Sequence, residues 1–292
     1  MTIKPLWDAA TVEQAVAHLS INRPAYASIL DFYGPVFTAQ AKAAETTFPA
    51  AISVDESSID MQREEGFAII APAAFTVDHS SAETLLAEIC EIAMTCGDTL
   101  ARAGKALNSA PKESGVLTAL FRDVLDHSGY IRTFADKLKA APDMLSLLLL
   151  LAIRPSIEAG ARRLADLLTN EADHRSSCPI CGSLPIIGEL DSDGQLWIHC
   201  SLCWHRWLVK RMVCLFCTNS SSDSLEYLHS ENEPEYRVNL CNACHHYLKV
   251  VDRRQLTRAF IAPLEQVVSM HLDMLVQERG FTHALGVDHR SG

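Results

Sequence analysis

Eight cysteines in the second half of the chain form four Cys-x-x-Cys pairs, and this spacing suits three kinds of chemistry. Such pairs occur in disulfide frameworks, in redox-active dithiols and in sites that hold a metal ion. The pairs are Cys178/Cys181, Cys200/Cys203, Cys214/Cys217 and Cys241/Cys244. The gaps of 18, 10 and 23 residues between them are close to the spacing of two four-cysteine metal sites.

The other two uses of such pairs fit the chain poorly. Disulfides need an oxidising compartment, and the N-terminus, MTIKPLWDAATVEQ, lacks the apolar segment of a secretory signal peptide. A thioredoxin-like dithiol needs one pair that opens a helix after a strand, and four repeated pairs lack that context. We therefore expect a cytoplasmic protein whose reduced cysteines hold metal ions.

Sequential pairing predicts two sites of four thiolates each. Cys178, Cys181, Cys200 and Cys203 form the first site, and Cys214, Cys217, Cys241 and Cys244 form the second. A crossed arrangement, with the first pair joined to the third and the second to the fourth, stays open because the middle gap is short. Four thiolates suit zinc and iron equally, so two metal ions, iron or zinc, are the expected cofactors. Closed sites leave no position for a substrate, and no catalytic motif stands out, so we do not expect an enzyme.

The residue after each second cysteine decides how easily the turn around the metal forms. Gly182 tolerates the left-handed backbone that this position favours. The corresponding residues of the other three pairs are Trp204, Thr218 and His245, which predicts less favourable turns there.

Other residues near the pairs admit ordinary structural roles. Trp204 and Trp207 are expected either to pack the small metal domain or to form part of a docking surface. Arg206, Lys210 and Arg211 form a basic cluster that is either a solvated strand face or a partner-binding patch. Outside this region, Cys90 and Cys96 are expected to be small buried hydrophobic residues rather than ligands.

The elements around these residues predict a multi-domain protein of α and β structure. Residues 1–175 read as a helical bundle, residues 176–250 as two tandem metal ribbons, and residues 251–292 as a C-terminal helix and tail that pack on the preceding domains. The C-terminal helix is predicted over 254–280, with Gly280 as its cap. The apolar run 144–153, MLSLLLLLAI, is about half a membrane span. We interpret it as a buried core helix, without membrane insertion.

The charge of the chain argues against one class of function. The formal net charge is −11, and hydrophobic residues make up 48% of the sequence. Nucleic-acid-binding proteins usually carry a basic footprint, so a ribbon-type nucleic-acid binder is not expected.

The order of these motifs resembles that of the formate dehydrogenase accessory proteins of the FdhE type. The resemblance rests on CPICGSLP (178–185), on WIHCSLCWHRWLVKRMVCLFC (197–217), and on CNACHHYLK (241–249) followed by a terminal helix ending in QERGF. It covers residues 176–281, whereas the N-terminal part is similar in character and length only.

The resemblance implies a cytoplasmic bacterial protein that assists the biogenesis of respiratory, molybdenum-dependent formate dehydrogenase by contacting its catalytic subunit. It also implies two rubredoxin-like ribbons that bind iron or zinc, and all eight ligand cysteines are present here. The expected client-binding surface is the region from Trp204 to Arg211 together with the terminal helix. A rubredoxin-like, redox-active iron protein is the alternative. The oligomeric state stays open, with a monomer favoured.

Overall fold

A computed structural model describes residues 5–109, 115–168 and 175–286 of the chain. These residues divide into two compact units. The first combines the chain up to Val54 with Ile70–Arg163, and the second combines Asp55–Ile69 with the chain from Leu164 onward. The chain from Leu164 onward thus belongs to one compact unit. The predicted domain boundaries at residues 175 and 250 remain predictions.

The order of elements is helical first, then β, then helical again, as the sequence predicts. The helices are α1 (Ala9–Asn22), α2 (Ala27–Ala44), α3 (Ile59–Glu64), α4 (His79–Thr95), α5 (Asp98–Asn108), α6 (Val116–Asp126), α7 (Tyr130–Leu138), α8 (Pro142–Ala165), α9 (Ala262–Val268) and α10 (Met270–Glu278). The strands are β1 (Pro185–Leu190), β2 (Leu196–Cys200), β3 (Arg206–Val209), β4 (Leu225–Ser230), β5 (Glu233–Cys241), β6 (His246–Asp252) and β7 (Thr282–His283).

Helix α8 forms the apolar centre of the first unit. Leu145, Leu148, Leu149 and Ile153 are fully buried on it. By length and composition alone this helix could cross a membrane, but 72% of its most apolar window is buried inside the protein. The prediction of a buried core helix is therefore confirmed.

The strands of the two predicted ribbons join into one mixed sheet in the second unit. The strand order is β3-β2-β1-β6-β5-β4, and β7 pairs with β6. Antiparallel pairing joins β1 to β2 in a hairpin, and also joins β4 to β5 and β5 to β6. The two ribbons meet where β1 runs parallel to β6, with Gly188 opposite Val250 and Leu190 opposite Asp252.

A short segment from the N-terminal half belongs to the second unit. The backbone N–H of Ile69 donates to the carbonyl oxygen of Pro179, at 3.0 Å, beside the first cysteine pair. The guanidinium group of Arg175 donates to the carbonyl oxygens of Arg63 and Phe67, at 2.7 and 3.2 Å. These backbone contacts explain why residues 55–69 group with the metal region.

The single C-terminal helix predicted over 254–280 is wrong, because two short helices, α9 and α10, occupy this range. Pro263 lies in the first turn of α9, where a residue without an N–H is tolerated, and so it begins a helix instead of bending one. Ser269 separates the two helices with a non-helical backbone, at φ −115° and ψ 16°. The predicted C-terminal cap is confirmed, because Gly280 follows α10 with a left-handed φ of 84°.

Buried polar contacts fasten α9 and α10 to the sheet. The Tyr236 hydroxyl donates to Oε2 of Glu265 at 2.6 Å, and Arg258 forms an ion pair with the same carboxylate. Lys249 is fully buried, and its Nζ lies 2.6 Å from Oδ2 of Asp273 on α10. Because a buried charge is costly unless it is paired, these partners fix where both helices lie.

Candidate metal centres

The first cysteine cluster lies at one end of the β1–β2 hairpin. Cys178 and Cys181 precede β1, and Cys200 ends β2, three residues before Cys203. The sulfur of Cys181 lies 3.5 Å from that of Cys200 and 3.7 Å from that of Cys203. The sulfurs of Cys178 and Cys203 are also 3.7 Å apart.

The second cluster lies where the loop after β3 meets the end of β5. The sulfur of Cys214 lies 3.7 Å from that of Cys244, and the sulfur of Cys217 lies 3.7 Å from that of Cys241. In each cluster all four sulfurs are within 4.8 Å of one another. The structure therefore brings the cysteines together in the sequential order and not in the crossed one.

Both clusters have dimensions that fit a tetrahedral metal ion. Metal–sulfur bonds of about 2.3 Å place the corners of a tetrahedron about 3.8 Å apart, close to the sulfur separations of 3.5 to 3.7 Å. The backbone N–H groups of Leu202 and Cys203 both donate to the sulfur of Cys200, at 3.4 Å. Equivalent backbone donors reach Cys214 and Cys241. Each cluster could hold one ion, and these dimensions suit zinc and iron alike.

The four turns share a left-handed φ at one position despite their different sequences. The residue after the second cysteine has a left-handed φ in each: 73° at Gly182, 56° at Trp204, 59° at Thr218 and 58° at His245. This conformation costs a non-glycine residue about 1–2 kcal/mol. Strain of this kind persists only where the surroundings impose it, and four sulfurs that converge on one ion provide such a constraint.

The charge state of the first cluster depends on whether a cation is bound. Burial, together with hydrogen bonds to neighbouring sulfurs, raises the pKa of the Cys178 and Cys203 thiols well above the usual value. Hydrogen bonds from the other three thiols lower the pKa of Cys181. Without a cation, the cluster therefore keeps protons shared among its sulfurs. Four buried thiolates in such close contact require a positive ion among them.

The two clusters differ strongly in their exposure to solvent. In the first cluster, Cys178 and Cys200 are 0% exposed, and Cys181 and Cys203 are 1% exposed. In the second, Cys217 is exposed and Cys244 is partly exposed. The first cluster is closed within the protein, whereas one side of the second faces solvent.

A buried carboxylate that the sequence did not single out supports the first ribbon. Glu189 is 1% exposed, and its Oε2 lies 2.9 Å from Nε2 of His199, the residue before Cys200. Its Oε1 accepts hydrogen bonds from Arg206 at 2.6 Å and from Arg253 at 3.4 Å. Burial alone would raise the pKa of Glu189, but the His199 hydrogen bond and the nearby positive charges lower it overall. No motif marks this residue, because only the fold brings its partners together.

Replacing Glu189 with glutamine should lower the free energy of unfolding of the second unit by about 2 kcal/mol, because charged hydrogen bonds are lost. The carboxylate contributes above its ordinary pKa of 4.5, and the contribution is lost as pH falls through the lowered folded value. The difference between the two proteins should therefore be present at about pH 7 and shrink as the pH falls below about 4.5, as measured by urea unfolding. Glu278→Gln, an exposed control, should change nothing, and equal stability of the Glu189 variant would contradict this role.

The exposure of the residues around the clusters tests the predictions made for the tryptophans, the basic cluster and the two other cysteines. Trp204 and Trp207 are 7% and 5% exposed, so they pack the metal region and cannot form an exposed docking surface. Arg206, Lys210 and Arg211 are exposed, as a basic patch requires. Cys90 is buried on α4 as expected, whereas Cys96 is partly exposed, and neither joins a metal-type cluster within the described residues.

Within the described parts of the chain, the two cysteine sets are the groups of His, Cys, Asp and Glu residues whose spacing suits a metal ion. In each set, the four sulfurs supply all four corners of a tetrahedron. This arrangement is typical of a structural or electron-transfer site, because a catalytic metal keeps one position for water or substrate.

Comparison with known proteins agrees with these features. Residues 212–287 match the family model described as FdhE, C-terminal domain. A protein named Protein FdhE homolog from Aquifex aeolicus is 32% identical over 143 residues, which cover 48% of this chain and 50% of that protein. One of the same name from Pectobacterium carotovorum is 32% identical over 130 residues, covering 42% of this chain and 41% of that protein. The matched part thus spans about half or less of these relatives.

The likeness in fold extends further than the likeness in sequence. The crystal structure of the FdhE protein from Pseudomonas aeruginosa aligns with 97% of this chain and 95% of its own, with a TM-score of 0.68 and 21% identity. The N-terminal helices, for which the sequence offered no diagnostic motif, are included in this alignment. Together the comparisons confirm that this chain resembles the FdhE proteins, the family that its cysteine motifs indicate.

Proposed function

We propose that this protein is an accessory factor for the assembly and activation of a respiratory, molybdenum-dependent formate dehydrogenase. It binds the catalytic subunit of that enzyme in the cytoplasm and performs no catalysis itself. The observation that carries the proposal is the pair of four-cysteine clusters, each with four sulfur ligands, on one sheet. The resemblance to FdhE proteins supplies the client.

The chain's own residues build a rigid platform for that partner. When bound, each metal ion supplies a crosslink that holds two turns together. Glu189 fixes the strands of the first ribbon through His199 and Arg206. Lys249 and Asp273 fix α10 against the other ribbon. Because such a surface hardly changes shape, it loses little conformational entropy when a partner binds.

The proposal is tested by co-purification with the catalytic subunit of a formate dehydrogenase. Cys178→Ala combined with Cys181→Ala should abolish co-purification, since it removes half of the ligands of the closed cluster. Cys96→Ser, a substitution outside both clusters, should retain it. Unchanged binding by a variant shown to be metal-free would contradict the proposal, as would a wild-type protein that binds no catalytic subunit.

One observation favours a second candidate, a rubredoxin-like, redox-active iron protein. The exposed side of the second cluster, at Cys217 and Cys244, would allow electrons to reach an iron ion there. Protein purified without oxygen would then absorb visible light, and the absorption would bleach on reduction. A colourless protein that contains only zinc would remove this candidate.

A further inference from the structure

An apolar groove lies on the second unit, against the sheet and beside the second cysteine cluster. Its volume is about 170 Å³. Leu196 and Ile198 of β2 and Leu248 of β6 form part of its lining, and residues 211–216 supply another part. The groove therefore draws on strands of both ribbons and exists only because those ribbons share one sheet.

The residues beside the groove include two large apolar side chains that face solvent. Met212 is 70% exposed and Tyr227 is 63% exposed, although both line the groove. Methionine is common on surfaces that adapt to a partner, and tyrosine is among the residues that contribute most to binding energy in protein interfaces. Both features are typical of a surface that binds polypeptide.

The lining also contains an arginine with a buried hydrogen-bond donor that is not used within the described residues. Arg237 and Arg211 both line the groove. The buried Nε of Arg237 has no hydrogen-bond partner among the described residues, and the guanidinium group lies 5.6 Å from the Tyr227 ring. Burial, and then the charge of Arg211, lowers the pKa of Arg237. The nearby charge of Asp252 partly offsets this effect, although both oxygens of that carboxylate already accept hydrogen bonds from Arg254, at 2.8 and 2.5 Å.

We propose that this groove binds an extended segment of the client polypeptide in which a large apolar side chain lies beside a carboxylate. The inference rests on the proposed function and specifies which part of a client is recognised. The volume suits one apolar side chain, because a cavity of about 150 Å³ accepts a benzene ring. A carboxylate supplies the acceptor that Arg237 lacks, and arginine–carboxylate hydrogen bonds are among the stronger ones in proteins.

Nucleic acid fits the groove less well than polypeptide does. The chain carries a formal net charge of −11, and the carboxylate of Glu226 also lies on the lining. A phosphate backbone needs a run of basic side chains along its path, whereas the groove offers two arginines above an apolar floor.

The second metal site contributes directly to the shape of the groove. Cys214 and Cys241 belong to the cluster and also line the groove. Phe216 and His246, whose rings are 5.1 Å apart, lie beside them on the same lining. An ion in the second cluster would therefore hold one wall of the binding surface in place.

The groove can be tested without a formate dehydrogenase, with the metal-loaded, full-length protein. The probe is a capped hexapeptide with a central phenylalanine flanked by glutamates. Its binding is measured by NMR of the protein's 13C-labelled methionine methyl groups. The Met212 signal, assigned with Met212→Leu, should shift as the peptide is added. Met270 and Met274, which are exposed on α10, are internal controls and should not shift. A peptide with lysines in place of the glutamates should leave Met212 unmoved, and equal shifts from both peptides would overturn the proposal.

The arginines are tested by substitution in the same assay. Arg237→Gln combined with Arg211→Gln should weaken peptide binding by at least about tenfold, and Arg279→Gln, an exposed control on the same unit, should not. Circular dichroism and metal content verify that each variant is folded and loaded. Unchanged affinity of a folded double variant would overturn the proposal, as would displacement of the peptide by a single-stranded oligonucleotide.

Binding to the catalytic subunit then separates this inference from the proposed function. If the wild-type protein binds the subunit and the folded double variant binds equally well, the groove proposal fails and the assembly role stands. If the wild-type protein binds the peptide but not the subunit, the assembly role fails and the groove stands. Loss of subunit binding in the double variant alone supports both.

Discussion

Replacing Cys200 with serine should unfold the second unit, whereas Cys217→Ser should leave it folded. Cys200 ends β2 inside the closed cluster, where all four sulfurs are buried. A structural zinc ion contributes on the order of 10 kcal/mol to folding, as much as the whole stability of a typical domain, about 5–15 kcal/mol. Cys217 is exposed, so water can replace its sulfur at much lower cost.

Metal content and hydrogen exchange measure this difference. Wild-type protein should contain two ions per chain, because it has two clusters. In the Cys200→Ser protein, the backbone amides of β1, β2 and β6 should exchange rapidly with solvent. In the Cys217→Ser protein they should still exchange slowly, and the ion of the second cluster should be bound weakly. Cys96→Ser is the matched control, since that cysteine lies outside both clusters. A Cys200→Ser protein that stayed folded with both ions bound would refute the assignment of the first cluster as the structural one.

In the presence of a chelator, a thiol reagent should modify the cysteines of the second cluster long before those of the first. The exposed sulfur of Cys217 is open to attack, whereas Cys178 and Cys200 are 0% exposed. Their modification requires the sheet to open, and opening a buried core element costs a large share of the global unfolding free energy. The rates of alkylation should therefore differ by at least about tenfold, which corresponds to about 1.4 kcal/mol.

Mass spectrometry of digested protein, after timed alkylation in the presence of EDTA, locates the modified cysteines. The four cysteines of the second cluster should become labelled together, while those of the first remain protected. In guanidinium chloride with the metal removed, all eight should react at similar rates, which controls for differences in peptide recovery. Simultaneous labelling of both clusters in the native protein would mean that exposure does not determine which ion is lost first.

The sequence predicts the cysteine clusters well because their geometry is local. A Cys-x-x-Cys turn places two sulfurs beside one ion whatever the rest of the chain does, and a gap that fits a hairpin brings the second pair near. The hairpin between β1 and β2, over residues 191–195, follows from the same kind of signal, since Asp191 and Gly194 are turn residues. Gly280 marks the end of the last helix for a similar local reason.

The remaining features depend on contacts between residues far apart in the sequence. The parallel pairing of β1 with β6 joins Gly188 to Val250, and no local pattern predicts that partner. The burial of Trp207 depends on the sheet beneath it, so the sequence alone does not decide whether this side chain is exposed or part of the core. Likewise, the groove is composed of residues from five strands and a loop, and only the fold shows that the buried Nε of Arg237 has no hydrogen-bond partner among the described residues.

The β1–β6 pairing also has a consequence for where this protein can be divided. The family model begins at residue 212 and so excludes β1, β2 and β3. A fragment cut there would expose the edge of β6 that β1 covers in the intact chain, and unpaired edges promote aggregation. The segment that the family model matches is therefore smaller than the unit that we expect to fold when expressed, which must retain both ribbons and residues 55–69.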